Sequence, residues 1–267
     1  QIAAGHVDLA FTPTANNTDF VVTASIADAA GNAAGPVSDS ARLQLSAPDA
    51  PVVTITEDAN GDRWINAAEL QGSIDVSVGL PSTAAAGDTL LATVNGVVQA
   101  EILLTAADIA NHSISLPGIA NPGDGATLTV TAQIRDVANN LGSIGSNDAR
   151  IDTLPPAVTA RLDPASDSGT QGDNITNDNT PTISGTGEPG ASITVTLPVR
   201  SQSQSLTDTV SPDGTWSVTP LQPLADGPHQ IKVTATDIAG NSSSTSVDLI
   251  IDTGIPNNLQ PPAVLIV

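Results

Sequence analysis

Apolar and polar residues alternate with period two along most of the chain, as in Ser73-Ile-Asp-Val-Ser-Val78, Thr127-Leu-Thr-Val-Thr-Ala132, Ala191-Ser-Ile-Thr-Val-Thr-Leu197 and Ser246-Val-Asp-Leu-Ile-Ile251. That period puts alternate side chains on opposite faces of a strand, one face for a core and one for water. Asn95-Gly96, Asp124-Gly125, Asp213-Gly214 and Asp226-Gly227 interrupt the runs where hairpin turns need residues that tolerate positive φ. No helical period persists for three turns. The pattern predicts an all-β chain of antiparallel, sandwich-like sheets.

One phrase recurs three times: Val22-Thr-Ala-Ser-Ile-Ala-Asp28-Ala-Ala-Gly-Asn32, Val130-Thr-Ala-Gln-Ile-Arg-Asp136-Val-Ala-Asn-Asn140 and Ile231-Lys-Val-Thr-Ala-Thr-Asp237-Ile-Ala-Gly-Asn241. Its aspartates lie 108 and then 101 residues apart, the length of one small β-sandwich. Proline-rich joints follow strands at Ser46-Ala-Pro48-Asp49-Ala-Pro51, at Arg150-Ile-Asp152-Thr-Leu-Pro155-Pro156 and at Ile251-Asp252-Thr-Gly-Ile-Pro256, where proline stops pairing and stiffens the connection. The expected units are 1–47, 48–153 and 154–253, followed by 254–267 as a linker and possible first strand of a next repeat. The first unit aligns with the second half of the next one, so it reads as the C-terminal half of a truncated repeat. The start shows no signal-peptide pattern, and the whole reads as a slice of a longer protein.

Composition narrows the chemistry. Cysteine, methionine and tyrosine are absent, and Phe11, Phe20, Trp64 and Trp216 are the only aromatic residues. Cores built from Val, Ile, Leu and Ala without disulfides gain from a further stabiliser, and a bound metal is one. Seven basic residues against 28 acidic ones give a net charge of −21, which excludes nucleic acid and anionic membrane surfaces as partners. No apolar run approaches the ~20 residues that span a bilayer, so membrane insertion is not expected.

Many of the acids cluster beside Gly and Asn. In a seven-strand sandwich the repeated phrase fits the penultimate strand, with its aspartate at the pole where that strand leaves the sheet. The incoming linker and the loop between the second and third strands reach the same pole. They bring Asp49 and Asp88 toward Asp136, and Asp152 and Glu188 toward Asp237. Three carboxylates in one place repel one another, and a divalent cation neutralises them. Oxygen-only ligands at flexible spacing favour calcium over zinc and magnesium. Taken singly, each aspartate is better explained as a turn former; recurrence in successive units points to calcium.

A sharper pattern is Asp58-Ala-Asn60-Gly-Asp62-Arg-Trp64-Ile-Asn66-Ala-Ala-Glu69. Counted from Asp58, side-chain oxygens fall at positions 1, 3, 5, 9 and 12, and the Trp64 carbonyl falls at 7, as in an EF-hand-type calcium loop. Arg63 stands at position 6, where glycine is expected. The flanks are strands, which argues against a helix-loop-helix. The equivalent segment of the third unit offers Asp167, Asp173 and Asp178 at a different spacing. Both segments fall between the first two strands of their sandwiches, at the opposite pole.

Together the Asp-Ile-Ala-Gly-Asn241 turn, the Ile-Asp-Thr linkers, the stretch Gly172 to Gly190, the Asp213-Gly-Thr-Trp216-Ser-Val218 hairpin and Leu224-Ala-Asp-Gly227 resemble the bacterial Ig-like repeats of giant non-fimbrial adhesins secreted by type I systems. The resemblance implies tandem immunoglobulin-like antiparallel β-sandwiches in a linear array. It also implies a calcium-rigidified stalk at the bacterial surface that presents host-cell adhesion, with calcium ions, neighbouring repeats and a host-cell glycan or receptor as partners. The alternative is a glycan-binding β-sandwich of a secreted protein, for which Trp216 would have to be exposed as a stacking platform. His6, His112 and His229 are isolated, and no catalytic constellation supports an enzyme.

Overall fold

The computed structural model describes residues 8–12, 18–199 and 202–254. The expected tail at 254–267 and the first residues of the chain lie almost wholly outside them. Strands form where the period-two pattern predicts. In β10 (Thr127–Arg135), Leu128, Val130, Ala132 and Ile134 are buried and the threonines between them face outward. In β18 (Gly227–Thr236), Ile231, Val233 and Ala235 are buried in the same way.

The described chain is almost entirely β and separates into two compact units: residues 8–12, 18–56, 73–121 and 127–149, and residues 57–72, 122–126, 150–199 and 202–254. In the first unit β3 (Val52–Ile55), β5 (Ile74–Gly79) and β9 (Ser113–Ile119) form a three-stranded antiparallel sheet in the order β3-β5-β9. A second sheet runs β11-β10-β6-β7, with β6 at Thr89–Val94, β7 at Val97–Val98 and β11 starting at Gly145; β8 (Ile102–Leu103) also pairs with β6. Val53, Val76 and Val78 from the first sheet and Leu90, Leu104 and Val130 from the second sheet and its loops are among the unit's buried apolar side chains. The β1 (Thr18–Ala27) and β2 (Ala33–Leu43) strands form an antiparallel ribbon with a register shift between Ala24 and Ile26.

The second unit holds an immunoglobulin-like sandwich. One sheet has the order β12-β14-β17, from Arg161–Leu162, Ile183–Thr186 and Thr215–Val218. The other has the order β13-β19-β18-β15-β16, from Ile175–Thr176, Ser242–Ile251, β18, Ser192–Val199 and Gln202–Thr209. Ile183, Ile193, Val195, Leu197, Ile231, Val233 and Trp216 pack in one core. The short β4 (Trp64–Ile65) lies parallel to the last two residues of β11, Arg150 and Ile151, and the Arg150 guanidinium sits 5.2 Å from the Trp64 ring centroid.

The period-two reading gave no helix, but α1 (Ala106–Asn111) interrupts the strands. It is shorter than two turns, below the length at which an apolar period is visible. A capping box forms it: the Asp108 carboxylate accepts from the Thr105 N–H and hydroxyl, and the Thr105 hydroxyl accepts from the Asp108 N–H. Those Thr105 bonds hold the Asp108 carboxyl below its ordinary pKa. Among the described residues no helix is long and apolar enough to cross a membrane.

Gly185 shows how tightly the second sandwich closes. A Cβ there would lie 2.0 Å from the Thr159 carbonyl oxygen and 2.8 Å from Trp216 Cζ2. Neither backbone nor a buried indole yields easily, so Gly185→Ala is expected to cost about 1–3 kcal/mol of stability, measured by denaturant unfolding.

Candidate metal centres

The sequence-derived ligands of the first unit come from three segments that the fold brings together. Asp49 is held to the loop after β5: its N–H donates to Thr83 Oγ1, whose hydroxyl donates back to Asp49 Oδ2 at 3.3 Å. Gly87, in the left-handed region at φ 97°, lets that loop pass close to the turn after β10, where an added Cβ would lie 3.3 Å from Val137 Cγ1. Gly142, just beyond that turn, closes the third side, since its Cβ would stand 2.5 Å from the Pro48 carbonyl oxygen.

Asp88 and Asp136 are buried in this corner, at 1% and 3% exposure, whereas Asp49 is exposed. Their hydrogen bonding differs sharply. Asp136 Oδ1 accepts from the N–H groups of Ala138 and Asn140, and Oδ2 accepts from Asn140 Nδ2. Asp88 Oδ2 accepts from the Ala85 N–H, but Asp88 Oδ1 is buried with no hydrogen-bond partner.

In the second unit the loop between β3 and β5 has the oxygen pattern of its sequence. Asp58 Oδ2 accepts from the Arg63 N–H, and Asp58 Oδ1 is buried without a partner. Asn60 Oδ1 accepts from the Asp62 N–H, and Asp62 Oδ1 from the Trp64 N–H. Arg63 takes φ 71°. The sixth position therefore keeps its left-handed turn without glycine, at an expected cost of about 1–2 kcal/mol. Asn66 and Glu69 close the loop on each other: Asn66 Oδ1 accepts from the Glu69 N–H, and Glu69 Oε2 from the Asn66 N–H.

The loop between β12 and β14 repeats this economy. Asp167, 5% exposed, receives the Gly172 N–H on Oδ2 and nothing on the buried Oδ1. Asp178 Oδ2 accepts from the Ser166 hydroxyl and Oδ1 from Thr180, while Asp173 Oδ1 accepts from the Ile175 N–H.

The pole carrying Asp237 is arranged differently. Asp237 Oδ1 accepts from the Asn241 N–H, and Oδ2 from Asn241 Nδ2. Asn241 Nδ2 also donates to the Asp152 carbonyl, and Asn241 Oδ1 accepts from the Ala67 N–H. Asn66 Nδ2 donates to the Ala239 carbonyl. Asp152 thus meets this turn through its backbone, and its Oδ1 accepts from the Leu154 N–H at 3.4 Å. Glu188 is exposed, and no hydrogen bond brings it to Asp152 or Asp237. Among the described residues no group of three or more His, Cys, Asp and Glu side chains is placed to hold a metal ion.

Two structural devices escaped the sequence reading. The first is the asparagine four residues after each repeated aspartate. Asn32 bonds Asp28 as Asn140 and Asn241 bond their partners, and this amide, with backbone N–H groups, holds the exposed Asp28 carboxyl below its ordinary pKa. Asn140 and Asn241 then reach a linker carbonyl, at Gln44 and Asp152. The visible signal was the invariant spacing of Asp and Asn in all three copies. The second is the linker threonine: Thr153 donates its N–H and hydroxyl to Asp124, and Thr253 does the same to Asp226. These bonds hold the Asp226 carboxyl below its ordinary pKa. The repeated Ile-Asp-Thr and Asp-Gly pairs carried that signal separately.

Residues 154–253 match a protein family described as bacterial Ig-like domain. No curated protein matches the chain. Among solved structures it is similar to a four-repeat segment in the extending region of a large adhesion protein, at 23% identity and TM-score 0.36, over 89% of this chain and 57% of that one. It is also similar to a structure of a 1.5-MDa bacterial ice-binding adhesin, at 25% identity and TM-score 0.38, over 86% and 73% of the two chains. A third is a Ca2+-stabilised ice-binding adhesin of an Antarctic bacterium, at 26% identity and TM-score 0.37, over 88% and 56%. The chain thus spans little more than half the length of two of these structures.

Proposed function

We propose that the chain is a calcium-binding, calcium-rigidified repeat segment of a large extracellular bacterial adhesin. In this reading it is a structural stalk that presents an adhesive region to a host surface. The observation that carries the calcium reading is the set of buried, unpartnered carboxylate oxygens on Asp58, Asp88 and Asp167. An ionised oxygen taken out of water without a donor is costly, and a cation is the partner that removes the cost. All three residues lie in loops whose oxygen-rich sequences suit a hard divalent ion.

Asp88 would hold an ion near Asp49 and Asp136. Asp58 would do so with Asn60, Asp62, the Trp64 carbonyl, Asn66 and Glu69, and Asp167 with Asp173 and Asp178. Calcium bound there supplies charge neutralisation and cross-links loop segments; the chain supplies the oxygens and the turns that aim them. The Asp152, Glu188 and Asp237 set remains part of the proposal as a weaker centre, because Asn241 already satisfies Asp237. The match at 154–253 to the bacterial Ig-like family supports the placement among such repeats. Within them the repeat phrase resembles that of the Salmonella giant adhesin.

Small-angle scattering with and without chelator tests the stalk reading. Calcium removal is expected to shorten the maximum dimension and broaden the distance distribution. Superimposable profiles in the two conditions would rule out rigidification by calcium.

A further inference from the structure

The outer face of the β12-β14-β17 sheet carries a polar groove that no part of the calcium reading uses. Its volume is about 330 Å³, at the small end of ligand sites. Strand register places Arg161, Ser184 and Ser217 side by side across the three strands. Asp163 and Thr186 extend this floor, and Asp208 from β16 forms a wall, receiving the Ser217 N–H on Oδ2.

Two groups in the groove lack partners. Ser184 is 7% exposed, and its Oγ is buried with no hydrogen bond. Arg161, one of the chain's seven basic residues, makes no ion pair among the described residues despite carboxylates nearby. A buried hydroxyl without a partner is unusual, and the exposed guanidinium beside it is free to bond, so a ligand bearing several hydrogen-bonding groups engages both together.

We propose that this groove binds a neutral, hexose-sized sugar through Arg161, Ser184 and Asp208. The chemistry of the walls selects the class. Hydroxyl and charged groups line it, so an apolar ligand gains little. Asp163 and Asp208 outnumber Arg161, so an anionic ligand meets net repulsion, reinforced by the chain's charge of −21. Sugar hydroxyls donate to carboxylates and accept from a guanidinium at once, which suits this mixed lining. Aromatic stacking has no part: Trp216 is 3% exposed, and its Nε1–H points to the Thr186 carbonyl at 3.4 Å. The inference stands apart from calcium, since none of these residues belongs to a candidate metal centre.

The test is ¹H–¹⁵N NMR titration of the chain with methyl glucoside and methyl galactoside, with methyl glucuronide as the charged control. Concentrations should reach about 50 mM, because a shallow single-sugar site is expected near a millimolar Kd. Saturable shifts confined to the amides around 161, 184, 208 and 217 are expected with at least one neutral sugar and weaker ones with the glucuronide. Arg161→Ala should weaken binding at least about tenfold, as expected for loss of a charge-assisted hydrogen bond. Ser184→Ala should weaken it several-fold without lowering Tm, since it removes a hydroxyl that has no protein partner. Absent or scattered shifts, tighter binding of the glucuronide, or titrations unchanged in both variants would overturn the proposal.

Discussion

Calcium at about 100 times its Kd is expected to raise the free energy of unfolding by about 2.7 kcal/mol for each occupied site, or about 8 kcal/mol for three independent ones. That is comparable to the whole stability of an ordinary domain, about 5–15 kcal/mol, so chelation should produce the largest change in Tm available to this chain. Replacement by asparagine isolates the individual sites. Asp58→Asn, Asp88→Asn and Asp167→Asn should each remove one increment of calcium stabilisation. In chelator the same variants should match or exceed the parent, because each replaces a carboxylate whose Oδ1 is buried without a donor by a neutral amide. Calorimetry with and without chelator reads both effects. If a variant lowers Tm equally in both conditions, its aspartate holds the loop together by hydrogen bonding and not by ligating an ion.

The contrast between these aspartates and the repeated ones shows what a sequence of this kind reveals. Periodicity was enough for the strands, because the alternation in segments such as 127–132 and 191–197 follows directly from burial on one face. It was enough also to place the linker at Pro48 and Asp49, the loop at Gly87 and the turn at Val137 beside one another, since linker, loop and turn must share a pole in an antiparallel sandwich. What periodicity could not express was the destination of each carboxylate oxygen. Asp88 and Asp136 look alike in sequence, yet one has an unpartnered oxygen and the other is bonded on both. The difference comes from Asn140, which folds back on Asp136 through a turn, and nothing occupies that role beside Asp88. Apolar patterning was likewise silent on Ser184 and Arg161, which share a face only because three short strands fall into one register.

Asn241→Ala is expected to destabilise the chain by about 2–3 kcal/mol, chiefly the cost of leaving the buried Asp237 carboxylate oxygen without its amide donor. The side chain is 7% exposed and makes three bonds: to Asp237 Oδ2, to the Asp152 carbonyl and from the Ala67 N–H. Its removal leaves a buried carboxylate oxygen, a half-buried carbonyl and the Ala67 amide without this partner. Asn32→Ala removes the same Asp–Asn contact from an exposed turn, where water replaces it, and should lower Tm far less than Asn241→Ala does. The ratio between these two substitutions, measured by thermal unfolding, separates a structural lock from a mere marker of the repeat. Hydrogen exchange adds a local reading, with protection of the Ala67 amide expected to fall in Asn241→Ala. Asn241→Asp sets a second carboxylate against Asp237 in place of an amide donor and should destabilise the fold more than Asn241→Ala at neutral pH. Calcium should restore only a small part of the loss in Asn241→Ala, as expected for the weaker centre at Asp237. Rescue to parental Tm on adding calcium would mean that the ion and the asparagine are equivalent partners for that one carboxylate, and that the centre is not the weaker one.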